Sequence, residues 1–292
     1  MPIPVEQFKR SVTVSIGEGP LATKVTTEGT DPGLRIAFKV DRDTKPFPNN
    51  VELGIWNLSK SRRNSLLKPA LTCQIEAGYL GATQVIFLGT LRRPTVSYEG
   101  TEIVFKASGG DGEGETNGTK GSGPATINVT FAKGSPVVTV LQALIEASGV
   151  KPGNVAEISD VKLPYGNVLT RPLTLAGPVV EELSGFCRAL GVSWSVQSGA
   201  FQFLRIDAPY TLVQGPLISP ETGLLGAPRT DVEKDGKTIV IGSALLLPEM
   251  VPGKRFVLKS ESVSGLYAAR KTSHIGDTHG NDWRVEFEGV AL

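Results

Sequence analysis

The chain has 292 residues, of which 40% are hydrophobic and 20% charged, with 30 Lys and Arg against 29 Asp and Glu. This balance excludes a disordered protein and argues against a nucleic-acid binder that depends on overall positive charge. No apolar run approaches the length of a membrane-spanning helix, and the first ten residues lack the apolar stretch of a signal peptide. We therefore expect no membrane partner.

The N-terminal third of the chain has the periodicity of half-buried strands, in which apolar and polar residues alternate. Ser59 is positioned to cap a short helix over 60–67. Five antiparallel strands in so short a stretch predict a small β-barrel or sandwich, which we assign to residues 1–108. The strands are predicted over 34–40, 51–56, 71–79, 85–91 and 101–107.

The middle of the chain changes character twice. Residues 109–129 predict a flexible linker, because Gly and polar residues dominate there and offer little apolar surface to bury. Helical spacing follows, with Ser135 as the expected N-cap of a first helix. A second helix near Pro178 and a hairpin after Gly191 complete an α+β domain over residues 130–210.

The last third returns to short strands separated by Gly and Pro. In its final strand Trp283, Val285 and Phe287 alternate with charged residues that include Glu286 and Glu288. One apolar and one charged face are typical of a sheet with one wet side. Residues 211–292 therefore predict a second β-barrel. The predicted fold class is mainly β, with two small β-barrel-like domains flanking a helix-containing α+β domain.

One cluster has residue types that bind metals, His274, Asp277 and His279. Its spacing is not that of a helical pair, and we interpret it as a turn before a strand. Asp277 then accepts backbone N–H groups, and Gly276 and Gly280 supply the unusual backbone angles. We predict no metal site here.

Other catalytic patterns are absent from the sequence. The acidic residues Asp111, Glu113 and Glu115 do not fit a calcium loop, because its twelfth position is Ser122. There is no G-x-S-x-G motif, and Cys73 and Cys187 lie at apolar positions that predict burial. We assign no catalytic residue, no cofactor and no enzymatic activity, although a glycosidase carboxylate pair stays open.

Three groups of segments carry a family resemblance. The first group consists of Gly33–Phe38, Pro48–Ser59, Gly78–Tyr79 and Ile86–Gly89. The second group consists of 226–228, 247–248 and 251–253. The third runs from 274 to 283 and includes His274, Gly276, Asp277, Thr278, Gly280 and Trp283. In this order, and over most of the chain, they resemble the tail baseplate hub proteins of bacteriophages, a group that includes the base of type VI secretion spikes.

The resemblance implies assembly rather than catalysis. Hubs of this kind are homotrimers whose paired barrels form a pseudo-six-fold ring, and the ring joins a tail tube or tube-initiator protein to a three-fold central spike. Other baseplate proteins are further partners. The expected location is the virion tail, assembled in the cytoplasm of the bacterial host. No inserted lysozyme-like domain and no long β-helical spike are visible in the sequence.

A channel through such a ring passes DNA or holds a tape-measure protein, so its wall should avoid patches that trap phosphate. Glu286 and Glu288 are the residues we expect to line it. The alternatives are a distal tail component that binds carbohydrate and a tail-associated cell-wall hydrolase. The strand positions of Trp56, Trp194 and Trp283 predict burial, which argues against a sugar-binding surface.

Overall fold

The computed structural model describes residues 9–17, 22–28, 33–46, 49–68, 70–111, 125–159, 163, 166–211, 214–234 and 236–292. These residues form two compact units. The first contains the described parts of 1–43, 49–110 and 210–292, and the second contains those of 44–48 and 111–209. Residues 112–124, most of the predicted linker, lie outside the described residues.

Strands predominate in the first and last parts of the chain, and most helical residues lie in the middle. The first strands and helix are β1 Arg10–Ile16, β2 Thr23–Glu28, β3 Ile36–Asp43, β4 Asn50–Trp56, α1 Lys60–Leu66, β5 Leu71–Tyr79, β6 Ala82–Glu99 and β7 Glu102–Gly110. The middle contains β8 Thr126–Phe131, α2 Val137–Ser148, α3 Val155–Ser159, β9 Leu173–Pro178, α4 Val179–Ala189, β10 Val192–Gln197 and β11 Ala200–Arg205. The last strands are β12 Gln214–Ile218, β13 Leu224–Val232, β14 Thr238–Leu245, β15 Arg255–Lys259, β16 Ser264–Asp277 and β17 Trp283–Ala291.

The first unit is a 13-stranded sheet in which two parts of the chain repeat one connectivity. Its order is β13-β14-β17-β16-β3-β4-β7-β6-β5-β1-β2, with β15 on β16 and β12 on β15. The antiparallel path β3-β4-β7-β6-β5 therefore corresponds to β13-β14-β17-β16-β15. We call β1–β7 the N-terminal repeat and β12–β17 the C-terminal repeat. They differ at their next strand, since β1 is antiparallel to β5 and β12 is parallel to β15.

A bulge occurs at the corresponding place in each repeat. One extra residue lies in β6 between Arg92 and Thr95, opposite β7, and one lies in β16 between Ala269 and Lys271, opposite β17. A bulge bends its strand and increases the local twist. Both long strands therefore change direction midway, and each contacts different neighbours before and after the bend.

Each repeat has its own hydrophobic core, built by the inward-facing residues of alternating strands. The N-terminal core includes Val14, Ile36, Ile55, Ile75 and Phe105, all buried. The C-terminal core is a separate cluster, formed by Ile218, Val240, Phe256, Leu258, Tyr267, Val285 and Phe287 with their neighbours. Each such side chain contributes about 1.5–3 kcal/mol when it is fully buried. The first of these two cores also includes Leu246 and Trp283, so it contains residues of both repeats.

The second unit combines two hairpins with helices. Strand β8 pairs with β9, and β10 pairs with β11. Leu141 and Leu144 of α2 and Leu183 of α4 contribute to a third core. The N-cap of α2 is Pro136, without a side-chain hydrogen bond, so the prediction of Ser135 as the cap was wrong. In the described part of the chain, no helix is long and apolar enough to cross a membrane.

The predicted fold class, mainly β with a helix-containing α+β region, is confirmed. The sheets are not closed into barrels, since the strand order ends at β13 and at β2. The physical reason is that the edge of β3 is paired with β16 of the other repeat rather than within its own repeat. The predicted linker over 109–129 includes the ends of two strands, because β7 extends to Gly110 and β8 begins at Thr126.

Candidate functional site

The two repeats meet where β3 pairs with β16, and we call this ladder the repeat junction. The pairing is antiparallel and runs from Lys271 opposite Asp43 to Asp277 opposite Ala37. Strand β16 pairs over the same residues with β17 on its other side. The backbone of the junction is therefore hydrogen-bonded across both repeats.

One face of the repeat junction is buried. His274 lies opposite Val40 and Thr272 lies opposite Arg42, and all four side chains are buried. Gly276 lies opposite Phe38, where a Cβ on Gly276 would stand 2.3 Å from the Cζ atom of Phe38. A glycine is thus required for the Phe38 ring to lie against β16.

The aromatic side chains beside the junction fix the position of the Phe38 ring. The ring of Trp283 meets it edge-on, with the two centroids 5.7 Å apart. Edge-to-face pairs of this kind add about 0.5–1.5 kcal/mol beyond the area they bury. Trp283 belongs to β17 and Phe38 to β3, so this contact also joins the two repeats.

His274 is held inside the protein and is not arranged as a metal ligand. Its Nε2 atom lies 3.1 Å from the carbonyl oxygen of Leu247. Burial, together with the positive charge of Arg42, lowers the pKa of His274 to about 3. The imidazole is therefore neutral at physiological pH, and its Nε2–H donates to Leu247. His279 instead contacts the Thr278 hydroxyl through Nδ1, at 3.0 Å.

The turn after β16 is organised by the Asp277 carboxylate. Its Oδ1 accepts hydrogen bonds from the backbone N–H groups of His279, at 2.9 Å, and Gly280, at 3.0 Å. A Cβ on Gly280 would stand 2.8 Å from Oδ2 of the same carboxylate, so the turn leaves no room for a side chain there. Neither Gly276 nor Gly280 has a positive φ, so the prediction that they supply unusual backbone angles was wrong, and both positions need glycine because of close packing. Thr278 ties the turn to β3, since it exchanges backbone and hydroxyl hydrogen bonds with Ile36.

Two arginines of the N-terminal repeat bind this turn. Arg35 donates to Asp277 through Nη2 at 2.7 Å and through Nε at 3.2 Å to each carboxylate oxygen. Its guanidinium also lies over the ring of Trp56, 4.2 Å from the centroid. Arg10 donates to the carbonyl oxygens of Asp277 and Gly280, at 3.0 and 2.6 Å. Sequence analysis missed both arginines, because nothing near them in the chain indicates a partner so far away.

The protonation of Asp277 follows from these contacts. Desolvation favours the neutral acid, but the hydrogen bonds from Arg35 and from the backbone of His279 and Gly280 outweigh it and hold the pKa of Asp277 below its ordinary value. The carboxylate is ionised at neutral pH. The ion pair with Arg35 therefore links the two repeats at neutral pH.

The opposite, wet face of the junction carries charged side chains. Glu286 lies opposite Ser273 and Glu288 opposite Lys271, both on this face. Glu286 is 3.1 Å from Nε of Arg284, and Glu288 is paired with Arg270. A groove of about 520 Å³ crosses the same face and is lined by Lys39, Glu52, Lys106, Ile275 and Asp277, among others. The two glutamates predicted to line a channel thus share a face with residues of both repeats.

The two cysteines are enclosed within the protein. Cys73 and Cys187 are both free and buried, and desolvation raises the pKa of Cys187 to about 12. Burial likewise raises the pKa of Cys73. Thiols in this state are poor nucleophiles. Within the described ranges, no three His, Cys, Asp or Glu side chains converge as metal ligands would.

Comparison with known proteins found neither a family model nor a curated protein that matches this sequence. Solved structures are similar in fold. The 43 kDa tail protein of prophage MuSo2 from Shewanella oneidensis superposes with a TM-score of 0.63 at 10% sequence identity, over 96% of each chain. The tail protein from Neisseria meningitidis MC58 gives a TM-score of 0.59 at 9% identity, also over 96% of each chain.

A third similar structure is the E. coli c3393 protein, a component of the type VI secretion system with structural similarity to the T4 bacteriophage tail proteins gp27 and gp5. Its TM-score is 0.58 at 9% identity, and the match covers 88% of this chain and 73% of that one. The chain therefore has the fold of these tail proteins. The resemblance inferred from the sequence segments is confirmed at the level of fold.

Proposed function

We propose that this protein is a structural component of a phage or phage-like tail, the baseplate hub, and that it acts as a homotrimer. The observation that carries the proposal is the repeated connectivity, in which β3–β7 and β13–β17 follow one antiparallel path. Two similar repeats in each of three chains give six similar units around one axis. The likeness in fold to solved tail proteins supports the assignment to a tail.

Such a ring joins partners of different symmetry. Six similar repeats offer a matching surface to a six-fold tail tube or tube-initiator protein, while the three chains offer a matching surface to a three-fold spike. In this proposal residues 1–108 and 211–292 are the two repeated β domains, whose strands form one open sheet rather than two closed barrels. The α+β domain over 130–210, with its linker over 109–129, is an insertion between them. The location is the virion tail, after assembly in the host cytoplasm.

The wet face of the sheet is the proposed channel wall. Glu286 and Glu288 lie on it, and so does Asp277 at the end of the groove. Cations on this face match its carboxylates, since Glu286 and Glu288 pair with Arg284 and Arg270, and the groove also carries Lys39, Arg93 and Lys106. A wall without an excess of positive charge lets DNA pass or a tape-measure protein sit without trapping nucleic acid. The proposal is contradicted if an assembled structure places Glu286 and Glu288 on the outer rim.

The proposal includes no enzymatic activity. The buried thiols and the engaged Asp277 and His274 support it, because none is free to act on a substrate. A sugar-binding tail component would present tryptophans at its surface, whereas Trp56, Trp194 and Trp283 are all buried. The hub proposal is therefore preferred to both the carbohydrate-binding and the hydrolase alternatives.

Mass measurement of the purified chain tests the proposal directly. Light scattering should give a particle of three times the 30.9 kDa chain mass, and incubation with peptidoglycan should release no fragments. Electron microscopy of an intact tail carrying a tag on this chain should place it between the tube and the spike. A monomer that digests cell wall, or a tag located away from that position, would overturn the proposal.

A further inference from the structure

Each strand of the repeat junction has a counterpart in the other repeat, but the two counterparts do not pair with each other within one chain. When the two repeats are matched by their shared pairing and bulges, β13 corresponds to β3 and β6 corresponds to β16. In this correspondence Thr230 takes the place of Val40, because each lies opposite the buried valine of the next strand, Val240 or Val51. The end of β6 likewise takes the place of the end of β16, with Val96 at the position of His274.

Within the residues that the structure describes, no strand covers the edges at these counterpart positions. Strand β13 is the last strand of the order and pairs with β14 alone among the described strands. Beyond Leu91, β6 pairs with β7 but has no described strand on its other side. An uncovered edge with unpaired backbone groups is a template for another strand.

The solvent exposure of the side chains at the two edges also indicates that these edges lack a partner strand. At the repeat junction His274 and Val40 are each 0% exposed, whereas Val96 is 37% exposed and Thr230 is exposed. Tyr98 and Val232 have 76% and 64% exposure, although their counterparts Gly276 and Arg42 are buried. Most positions that one repeat buries against the other are therefore open to solvent at the two edges, the exception being Pro228, the buried counterpart of Phe38.

From these observations we propose that β13 of one chain pairs antiparallel with the β6 edge of a second copy of this chain, which repeats the β3–β16 junction between subunits. The proposal rests on the proposed function, since it names the surfaces through which the trimer closes. The expected register places Val96 opposite Thr230, Ser97 opposite Arg229 and Tyr98 opposite Pro228.

The chemistry of the two edges is complementary in this register. Arg93 comes opposite Glu233, as Lys271 lies opposite Asp43 at the junction. Glu99, which already pairs with Lys106 of its own chain, comes diagonal to Arg229 on the wet face, and opposite charges in such cross-strand positions stabilise a pair of strands. Tyr98 meets Pro228 on the apolar face and loses its exposed ring surface. Arg93 and Tyr98 thus gain partners on the second chain, while Glu233, paired with Arg270 within its own chain, gains a second cation.

The contact is head-to-tail, because β13 and β6 are different surfaces of one chain. Heterologous contacts either close into a ring or continue as a filament, depending on the rotation between subunits. The repeat junction relates the two repeats of one chain by a rotation. If the contact between chains has the same rotation, every repeat in the assembly has equivalent neighbours. Three chains then close a ring of six.

Disulfide cross-linking tests the register. Residues directly opposite in an antiparallel pair have Cα atoms about 4.5–5.5 Å apart, within the range for a disulfide. A chain with Val96→Cys and Thr230→Cys should form, on mild oxidation, covalent dimers and trimers that reducing agent dissolves. The native Cys73 and Cys187 are buried and stay silent. The pair Ser97→Cys and Thr230→Cys is the matched control, since its thiols fall on opposite faces of the sheet.

The outcomes separate this inference from the proposed function. A trimer by light scattering that forms no Val96–Thr230 cross-link overturns the edge pairing and leaves the trimer intact. A covalent ladder that continues beyond three chains supports the edge pairing and overturns the closed trimer. A chain that stays monomeric at the highest concentration reached, without cross-links, overturns both.

A charge in the edge supplies a second test that does not depend on oxidation. Val96→Asp should abolish the trimer, because the carboxylate would be buried at the position that His274 occupies in the junction. Val85→Asp is the matched control, since Val85 is also a valine of β6 with 37% exposure but lies outside the proposed edge. Both variants should unfold at similar temperatures as monomers. Equal loss of trimer in the two variants, or in neither, would rule the edge pairing out.

Discussion

The guanidinium of Arg35 holds both carboxylate oxygens of Asp277 although 242 positions separate the two residues in the chain. The same guanidinium lies over Trp56, and the same carboxylate accepts two backbone N–H groups of its own turn. Arg35 belongs to the N-terminal repeat and Asp277 to the C-terminal repeat. This ion pair is therefore a clamp across the repeat junction.

Removing the charge of this clamp should weaken the first unit. Asp277→Asn keeps the shape of the side chain but leaves Arg35 without its anion, and we expect the free energy of unfolding to fall by about 1–2 kcal/mol, after allowance for solvent screening of the partly exposed Arg35. Chemical denaturation monitored by tryptophan fluorescence measures this change in the free energy of unfolding. Asp207→Asn removes an exposed ion pair with Arg205 in the second unit and should have little effect. Equal losses in the two variants would contradict the clamp.

The stability of the protein should depend on pH through His274. Its pKa is about 3 in the folded protein, against about 6.5 in an unfolded chain. Unfolding therefore takes up a proton below pH 6.5, so the contribution of His274 is complete above that pH and is lost progressively as the pH falls toward 3. The free energy of unfolding should decrease by about 1.4 kcal/mol per pH unit from this group.

Asp277 adds to the same trend at lower pH. Because its pKa is lowered by folding, its contribution is present above the unfolded value of about 3.9 and is lost as the pH falls below it.

The contribution of His274 is measured by denaturation at several pH values between 7 and 4. The free energy of unfolding of the wild type should decrease over this range, and His274→Gln should lack this slope. A wild-type slope that the His274→Gln variant retains in full would assign the pH dependence to other groups.

Gly276 should not tolerate even a methyl group. In Gly276→Ala the new Cβ would lie 2.3 Å from the Phe38 ring, which Trp283 holds from the other side. We expect a loss of about 1–3 kcal/mol from this overpacking, measured by thermal or chemical unfolding. Adding Phe38→Leu should recover part of the loss by shortening the side chain.

A glycine without a close neighbouring side chain serves as the control for Gly276→Ala. Gly185 lies within α4 and has nothing within 4 Å of an added Cβ. Gly185→Ala should therefore stabilise the second unit by roughly 0.5–1 kcal/mol, because alanine favours the helix. A stabilising effect of Gly276→Ala would show that the ring of Phe38 does not lie against β16.

The proposed channel wall gives a prediction about nucleic acid. In the trimer, the double variant Glu286→Lys and Glu288→Lys should bind a short DNA duplex far more tightly than the wild type, because like charges lining a channel focus their potential. Fluorescence anisotropy at low and high salt measures it, and high salt should abolish the gain. The control Glu146→Lys with Glu181→Lys adds the same charge on helices of the second unit. Equal binding by both variants would place the two glutamates outside a channel.

Alternation along the chain predicted the strands that have one buried face. Strand β5 over 71–79 matches its predicted bounds. Strand β6 is much longer than predicted, because its bulge at Arg92 to Thr95 interrupts the alternation. Strand β13 gave no signal, since nearly all of its side chains are exposed and an edge strand without a buried face has no period to detect.

The candidate site was predictable only in part. The segment from 274 to 283 gave the position of the turn, because its glycines and Asp277 are local turn signals. Its partners were not predictable, since Arg10 and Arg35 reach the turn through the pairing of β3 with β16. Local periodicity specifies which face of a strand is buried, but it carries no information on which distant strand lies beside it.

The pairing of β3 with β16 also constrains how the protein is made. A ribosome releases β3 well before β16, because the two strands lie far apart in the sequence. Until β16 emerges, the nascent N-terminal repeat has a bare β3 edge, the kind of surface that recruits strands from other nascent chains. Efficient production therefore depends on completing each polypeptide before neighbouring ones can invade that edge, and slow or truncated translation should favour aggregation.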